Sequence, residues 1–335
     1  MIDEFHQPRR TIPLKMTPLV LVGTLLTHLG GGSAGREGTA VQIGGSIADQ
    51  FNKLFKIGSI QRKTLIILGV SGGFAAVFGT PLAGAIFSLE VLRTRKINSF
   101  FVIPTLAVAF WSDFICHAWG VGHTNYIIEE IAELNFTTIL WAIFAGICFG
   151  LAAQLFSRQK KFWGNLFTKR ISYPPLRPFV GGIVIAATVF LMGTSKYIGL
   201  GVPIIEASFH YQLEPYDFLI KIILTAFTLG AGFKGGEVTP LFFMGATLGN
   251  ALVWIVPLPM GLLAGMGFVA VFAGATNTPL ACAVMAMELF GYEGGVFFLI
   301  SCFVAFLSSG KTSVYSSQNL KNKYRFFLYQ KNRID

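Results

Sequence analysis

The chain has 335 residues, 53% of them hydrophobic and 13% charged, with a formal net charge of +10 at pH 7. Soluble domains carry about one-quarter charged residues, so this composition excludes an ordinary soluble globule and points to a helical integral membrane protein. The positive balance does not indicate nucleic acid, because 22 of the 26 Lys and Arg fall in five segments (9–15, 53–63, 93–96, 158–177 and 311–333) separated by apolar stretches, the positive-inside distribution of a polytopic membrane chain.

In chain order, residues 1–16 read as a basic linker bracketed by Pro8, Pro13 and Pro18. An apolar helix over 17–29 runs into the glycine break Gly30-Gly31-Gly32-Ser33-Ala34-Gly35-Arg36-Glu37-Gly38-Thr39, and a second helix follows over 38–52. Residues 64–92 read as a helical hairpin broken at Phe78-Gly79-Thr80-Pro81-Leu82-Ala83-Gly84. Spans are expected over 97–119 and 137–157 around an acidic connection, then a long basic loop over 158–177. An acidic connection over 206–217 lies among further apolar segments at 178–193, 218–233, 239–256, 261–273, 279–290 and 295–308. Several segments are shorter than the ~20 residues a straight span needs. That predicts tilted, broken or re-entrant helices, which a bilayer tolerates only inside a protein bundle.

The pattern repeats after about 200 residues. Lys234-Gly235-Gly236-Glu237-Val238-Thr239-Pro240 opens an apolar helix as the first break does, and Glu37 to Gly45 matches Glu237 to Gly245 in spacing. Gly73-Phe74-Ala75-Ala76-Val77-Phe78 returns as Gly267-Phe268-Val269-Ala270-Val271-Phe272; Pro81 and Glu90 return as Pro279 and Glu288, each 198 residues later. The connections after the first broken helices are basic, whereas 253–260 and 290–295 contain no Lys or Arg. The two copies are therefore expected in opposite orientations, with a site near the midplane where helix N-termini point inward. The expected division is a first repeat over 1–135, a second over 136–310, and a terminal segment over 311–335. On this reading the first repeat is short of roughly 65 residues at its start, which predicts an N-terminally truncated first half.

At the two breaks and the Pro81 hairpin the sequence resembles the CLC family of chloride channels and proton-coupled anion exchangers, along essentially its whole length. Gly35-Arg36-Glu37-Gly38-Thr39 is similar to the family's GREGP motif, with Thr for Pro; Gly236-Glu237-Val238-Thr239-Pro240 is similar to GxFxP, with Val for Phe. Tyr315 falls where the family places an ion-coordinating tyrosine. GREGT, GEVTP and Leu26-Thr27-His28-Leu29-Gly30-Gly31-Gly32 look like the fluoride-exporting bacterial branch. There, a GNNLI-like motif precedes a segment matching Ile2-Asp3-Glu4-Phe5-His6, so that motif would lie before residue 1. Val91 stands where chloride exchangers place an internal proton-handling glutamate.

The resemblance implies that Glu37 is a gate, a tethered competitor for the anion site that swings away when protonated. It also implies that backbone N–H groups around Gly35, Arg36, Glu37 and Gly38, and around Gly236, Glu237 and Val238, bind the anion with the hydroxyls of Thr239 and Tyr315. Glu37 alone also reads as a helix cap; Glu237 reads as a carboxylate for proton transfer or anion competition deep in the pore, or else as a cap or a partner of Lys234, three residues away. An isolated Tyr315 near a membrane surface also reads as a belt residue, and Thr239 as a capping residue. Gly30-x-Gly32-x-x-Gly35 fits GxGxxG but has no strand before it and no βαβ unit around it.

The four cysteines form no CxxC, and the five histidines form no i, i+4 pair among themselves, so no metal site or disulfide framework is indicated and the histidines read as packing or interface residues. The abundant Phe are assigned to lipid-facing and packing positions. The expectation is thus an all-α inverted-repeat transporter of the inner membrane, not an enzyme, without cofactor. It would be a homodimer in the lipid bilayer exchanging fluoride for protons. The alternatives are a chloride channel or chloride/proton exchanger, and a non-transporting fragment.

Overall fold

The structure is a computed structural model and describes residues 2–6, 10–55, 58–92, 99–315 and 318. The basic connection 93–96 and the tail beyond 318 lie outside the described residues. Among the described residues every named element is a helix: α1 (Ile2–His6), α2 (Met16–Leu29), α3 (Glu37–Phe55), α4 (Ser59–Phe78), α5 (Pro81–Val91), α6 (Ser99–Ala118), α7 (Phe136–Arg170), α8 (Leu176–Met192), α9 (Val202–His210), α10 (Asp217–Gly230), α11 (Val238–Leu252), α12 (Met260–Thr276), α13 (Pro279–Phe290) and α14 (Gly295–Ser308). The helices over 101–118 and 136–170 are long and apolar enough to cross a bilayer. The other apolar helices are shorter, as the broken pattern predicts. Large apolar side chains such as Leu19, Leu26, Ile103, Phe110 and Trp111 face outward, as a lipid-embedded surface requires.

Three expectations are corrected. The basic stretch after 157 is not a loop, because α7 continues to Arg170. At 1.5 Å per residue its 35 residues extend about 52 Å, well beyond a hydrocarbon core of about 30 Å, so its last turns can carry Arg158, Lys160 and Lys161 on a helix. The linker over 1–16 contains α1, fastened through Arg62: its guanidinium lies 3.6 Å from Glu4, bonds Asp49 at 2.7 and 2.8 Å, and donates to the Arg10 carbonyl. The acidic connection over 206–217 begins inside α9.

The two halves interlock through their hairpins. Gly79 and Asn277 both adopt positive φ, at 66° and 60°, and are followed by Thr80-Pro81 and Thr278-Pro279, with each proline opening a helix. A left-handed residue ends one helix, and a proline starts the next at a position needing no N–H. Each hairpin then caps the other. Glu288 accepts from the Leu82 and Ala83 N–H groups at 2.8 Å, and Glu90 accepts from those of Leu280 and Ala281 at 3.2 and 2.8 Å. A carboxylate at a helix N-terminus satisfies donors that have no intrahelical acceptor. Behind this clasp Phe74, Phe87, Phe242, Phe268 and Phe272 stack into one aromatic core joining α4 and α5 to α11 and α12.

Close helix pairs depend on glycine. A methyl on Gly44 would run into the Gly69 carbonyl across α3–α4, and one on Gly245 into the Gly267 carbonyl across α11–α12. Small residues permit such backbone approach between membrane helices. Gly245→Ala is therefore expected to cost about 3 kcal/mol, the upper end of ordinary overpacking, because the obstacle is backbone. Size-exclusion profiles and thermal unfolding in detergent check this; a variant as monodisperse and as heat-stable as the parent contradicts it.

Candidate functional site

The two glycine breaks meet at the centre of the molecule. Gly35 N–H donates to the Gly236 carbonyl at 2.7 Å, and Gly236 N–H to the Gly35 carbonyl at 2.6 Å, a two-residue antiparallel bridge. Side chains cannot fit there. A Cβ on Gly236 would lie 2.8 Å from the Gly38 nitrogen, and one on Gly38 would lie 3.2 Å from the Gly236 Cα. The sequence Gly-x-x-Gly at the first break and Gly-Gly at the second thus lets two backbones touch and brings the N-termini of α3 and α11 together.

The bridge sets the register between the halves. Gly35 pairs with Gly236, so Arg36 corresponds to Glu237, Glu37 to Val238 and Thr39 to Pro240. The packing glycines agree, since Gly44 in α3 and Gly245 in α11 share this spacing. The expected equivalence of Glu37 with Glu237 is therefore out by one residue. On helices that difference turns the two carboxylates in different directions.

Glu37 turns into the junction. Its side chain is 5% exposed, and Oε2 accepts from Arg36 N–H at 3.0 Å and from Thr239 N–H at 3.3 Å. One carboxylate thereby takes a backbone donor from each half. The junction N–H groups of Gly35 and Gly236 are used by the bridge. The first-turn N–H groups of Glu37, Gly38 and Val238 have no intrahelical acceptor. Thr239 Oγ1, in the same first turn of α11, is buried with no hydrogen-bond partner.

Glu237 turns away from the junction, and its partner is not Lys234. Lys160, on the basic extension of α7, donates to Glu237 Oε1 and, at 3.1 Å, to the Val314 carbonyl. Oε2 of Glu237 is buried and unpartnered. Tyr315 follows directly and lies within electrostatic reach of Glu237. The segment carrying it is tied down by Gln318, which donates to the Val91 and Thr276 carbonyls at 3.3 and 3.0 Å and accepts from Ser313 at 2.7 Å. So Glu237, Lys160 and Tyr315 form a second polar cluster next to the first.

Arg36 is exposed and contributes its N–H rather than its guanidinium. Four further residues escaped the sequence reading. His28 is half-buried and lies within electrostatic reach of Glu37, with its Nε2 buried and unpartnered. Thr225 and Thr228 of α10 hold the first break by bonding Ser33, at 2.8 and 3.3 Å. Lys221, fully buried, donates to the Tyr197 and Gly199 carbonyls at 3.0 and 2.9 Å and sits over the Phe243 ring. Gly199 in turn bonds Gly32, so this cation fastens the α8–α9 loop to the first break. A lone lysine in an apolar run gives no sequence sign of its carbonyl partners. The threonines, spaced three apart on one helix face, do give one.

Comparison with known proteins places the chain in one family. Residues 1–310 match the family described as voltage gated chloride channel. A chloride/fluoride channel protein of Pseudomonas syringae pv. tomato is 48% identical over 326 residues, which is 96% of this chain and 72% of the relative. The crystal structure of a CLC-type fluoride/proton antiporter superposes with a TM-score of 0.91 at 35% identity, over 95% of this chain and 80% of that one. A slow cyanobacterial Cl−/H+ antiporter shares the fold at a TM-score of 0.80 and 22% identity, over 99% of this chain and 81% of that one.

Proposed function

The chain belongs to the voltage gated chloride channel (CLC) family, and on that premise we propose that it moves fluoride across the membrane in exchange for protons. The observation that carries this reading is the Glu37 carboxylate lodged between the N-termini of α3 and α11, accepting one N–H from each half. A negative oxygen held by exposed helix-start amides stands where a free anion would be held. Deprotonated, Glu37 fills the site. Protonated, it loses its charge-assisted bonds and gives way to an anion held by the N–H groups of Glu37, Gly38 and Val238. The unpartnered Thr239 hydroxyl and, from the neighbouring cluster, Tyr315 complete the donor set.

Fluoride is small and strongly hydrated, so strong donors and protonatable carboxylates suit it. Val91 is buried and apolar at the C-terminal end of α5, and its neighbour Glu90 is committed to capping α13. That leaves Glu37 and Glu237 as the carboxylates beside the path. The name of the Pseudomonas relative and that of the fluoride/proton antiporter favour this branch. In this reading residues 1–135 and 136–310 are inverted repeats, 311–335 supplies the tyrosine, and the chain works as an inner-membrane homodimer that transports and catalyses no covalent reaction.

The test is flux from liposomes containing the purified full chain. Fluoride efflux accompanied by proton influx, with chloride much slower, is the expected result. Thr239→Val, which exchanges the hydroxyl for a methyl, weakens fluoride binding about tenfold or more, one hydrogen bond to a charged acceptor of ~1.5–3 kcal/mol. Equal fluoride and chloride rates overturn the fluoride assignment in favour of chloride. Anion flux without proton movement makes it a channel, and no flux of either ion overturns the transport reading altogether.

A further inference from the structure

We propose that the C-terminal end of α6 is a divalent transition-metal site of the Zn2+ class, formed by Asp113, His117 and His123. The three residues are not used in the transport reading. Asp113 and His117 are four residues apart on α6, hence on one face. The helix then stops with Gly120 at φ 71°, Gly120 N–H bonding the His117 carbonyl and Val121 N–H the Cys116 carbonyl. This paired closure with a left-handed glycine turns the chain back so that His123 returns against α4. The two histidines, which as a sequence pair have no ligand spacing, thereby meet with ring centroids 5.8 Å apart. One donor atom from each of Asp113, His117 and His123 lies within 4.8 Å of one from each of the others.

Hydrogen bonds prepare both rings for a metal. His123 Nε2 faces the Ala76 carbonyl at 3.1 Å. A carbonyl only accepts, so Nε2 carries the proton and Nδ1 keeps its lone pair. His117 Nδ1 faces the Asp113 carbonyl at 3.0 Å, which leaves its Nε2 unprotonated by the same argument. An imidazole whose second nitrogen donates to a backbone carbonyl is the arrangement found around bound metals, where that bond fixes the tautomer and orients the ring. Asp113 Oδ1 is buried, accepts no hydrogen bond and lies 3.4 Å from His117 Nδ1, a carboxylate oxygen already turned toward the imidazole.

The site also has room. His117 and His123 line a cavity of about 300 Å³ together with Gly79, Thr124, Asn125 and Glu288, enough for water to complete the coordination. Two imidazoles and one carboxylate with an open position suit Zn2+. Glu288 adds negative charge while its oxygens stay on Leu82 and Ala83. A bound ion would fasten the 119–125 turn to the Phe78–Gly79 break, beside the clasp joining the two halves.

Purified full chain carrying a non-histidine affinity tag is titrated with Zn2+ against a chromophoric chelator, and separately with Co2+ for its visible spectrum. One Zn2+ per chain is expected, with a four-coordinate Co2+ spectrum and an upward shift of thermal unfolding on Zn2+ addition. His123→Ala and Asp113→Asn each weaken binding about tenfold or more. Asp113→Asn is nearly isosteric, so a folding failure in the histidine variant does not remove the test. Cys116, beside His117, donates to the same Ala76 carbonyl at 3.4 Å, so Cys116→Ser is the control and binds as the parent does. The proposal is overturned by the absence of stoichiometric binding, by binding that survives both His123→Ala and Asp113→Asn, or by binding lost in Cys116→Ser.

Discussion

In liposomes Glu37→Gln carries anions without protons, its proton flux falling by about two orders of magnitude or more, the scale on which a positioned acid–base side chain contributes. The amide matches the carboxylate in shape and keeps an oxygen for Arg36 N–H and Thr239 N–H, so the junction survives the change. A neutral side chain at membrane depth also costs less than a charged one, so the variant folds. What it lacks is the ability to take up and release a proton and, with it, the alternation between a filled and a vacated site. The cap-only reading of Glu37 predicts the opposite: a stability loss of about 1 kcal/mol with the proton-to-anion ratio unchanged. Simultaneous recording of fluoride and pH decides, and an unchanged ratio removes Glu37 from the coupling mechanism.

The parts of this arrangement legible in the sequence are those written as local backbone chemistry. Gly79-Thr80-Pro81 and Asn277-Thr278-Pro279 announce a helix end and a helix start, and the structure has them there. The 198-residue repeat of Pro81 with Pro279 and of Glu90 with Glu288 pointed to a duplication. Its physical meaning, each glutamate capping the other half's proline-started helix, needs the two halves in contact and is invisible in either alone. The 200-residue match of Glu37 to Glu237 was misleading for a related reason. It aligned residue types, whereas the Gly35–Gly236 bridge aligns backbones, and the one-residue difference separates a carboxylate in the junction from one facing α7.

The longest error came from charge. Basic residues after 157 read as a loop because a membrane span was expected to end with its apolar run. A helix continues wherever its hydrogen bonds do, and Lys, Arg and Gln favour helix. That continuation delivers Lys160 to Glu237. No spacing rule relates residues 77 apart, whereas Lys234, three away, fitted a rule and proved not to be the partner.

Lys160→Met tests whether this long-range pair belongs to the site. Methionine replaces the apolar stem of lysine and removes only the ammonium. Glu237 Oε2 is already buried without a partner, so losing Lys160 leaves the whole carboxylate unpaired, and the Val314 carbonyl loses its donor next to Tyr315. Breaking a fully buried pair costs about 3–5 kcal/mol; with the side chains 26% and 15% exposed, about 2–3 kcal/mol is expected. Glu237→Gln alone strands the ammonium instead. The double variant Lys160→Met/Glu237→Gln contains neither unpaired charge, so its stability returns toward the parent with a coupling energy of about 1–3 kcal/mol. Thermal unfolding of the four proteins in detergent measures that coupling. Flux from the same preparations separates its consequences: if Glu237 takes part in moving the anion or proton, the double variant folds like the parent yet transports slowly. Single variants within about 0.5 kcal/mol of the parent, the range of ordinary surface substitutions, together with additive effects and parental flux, would show a solvated ion pair with no place in the pathway.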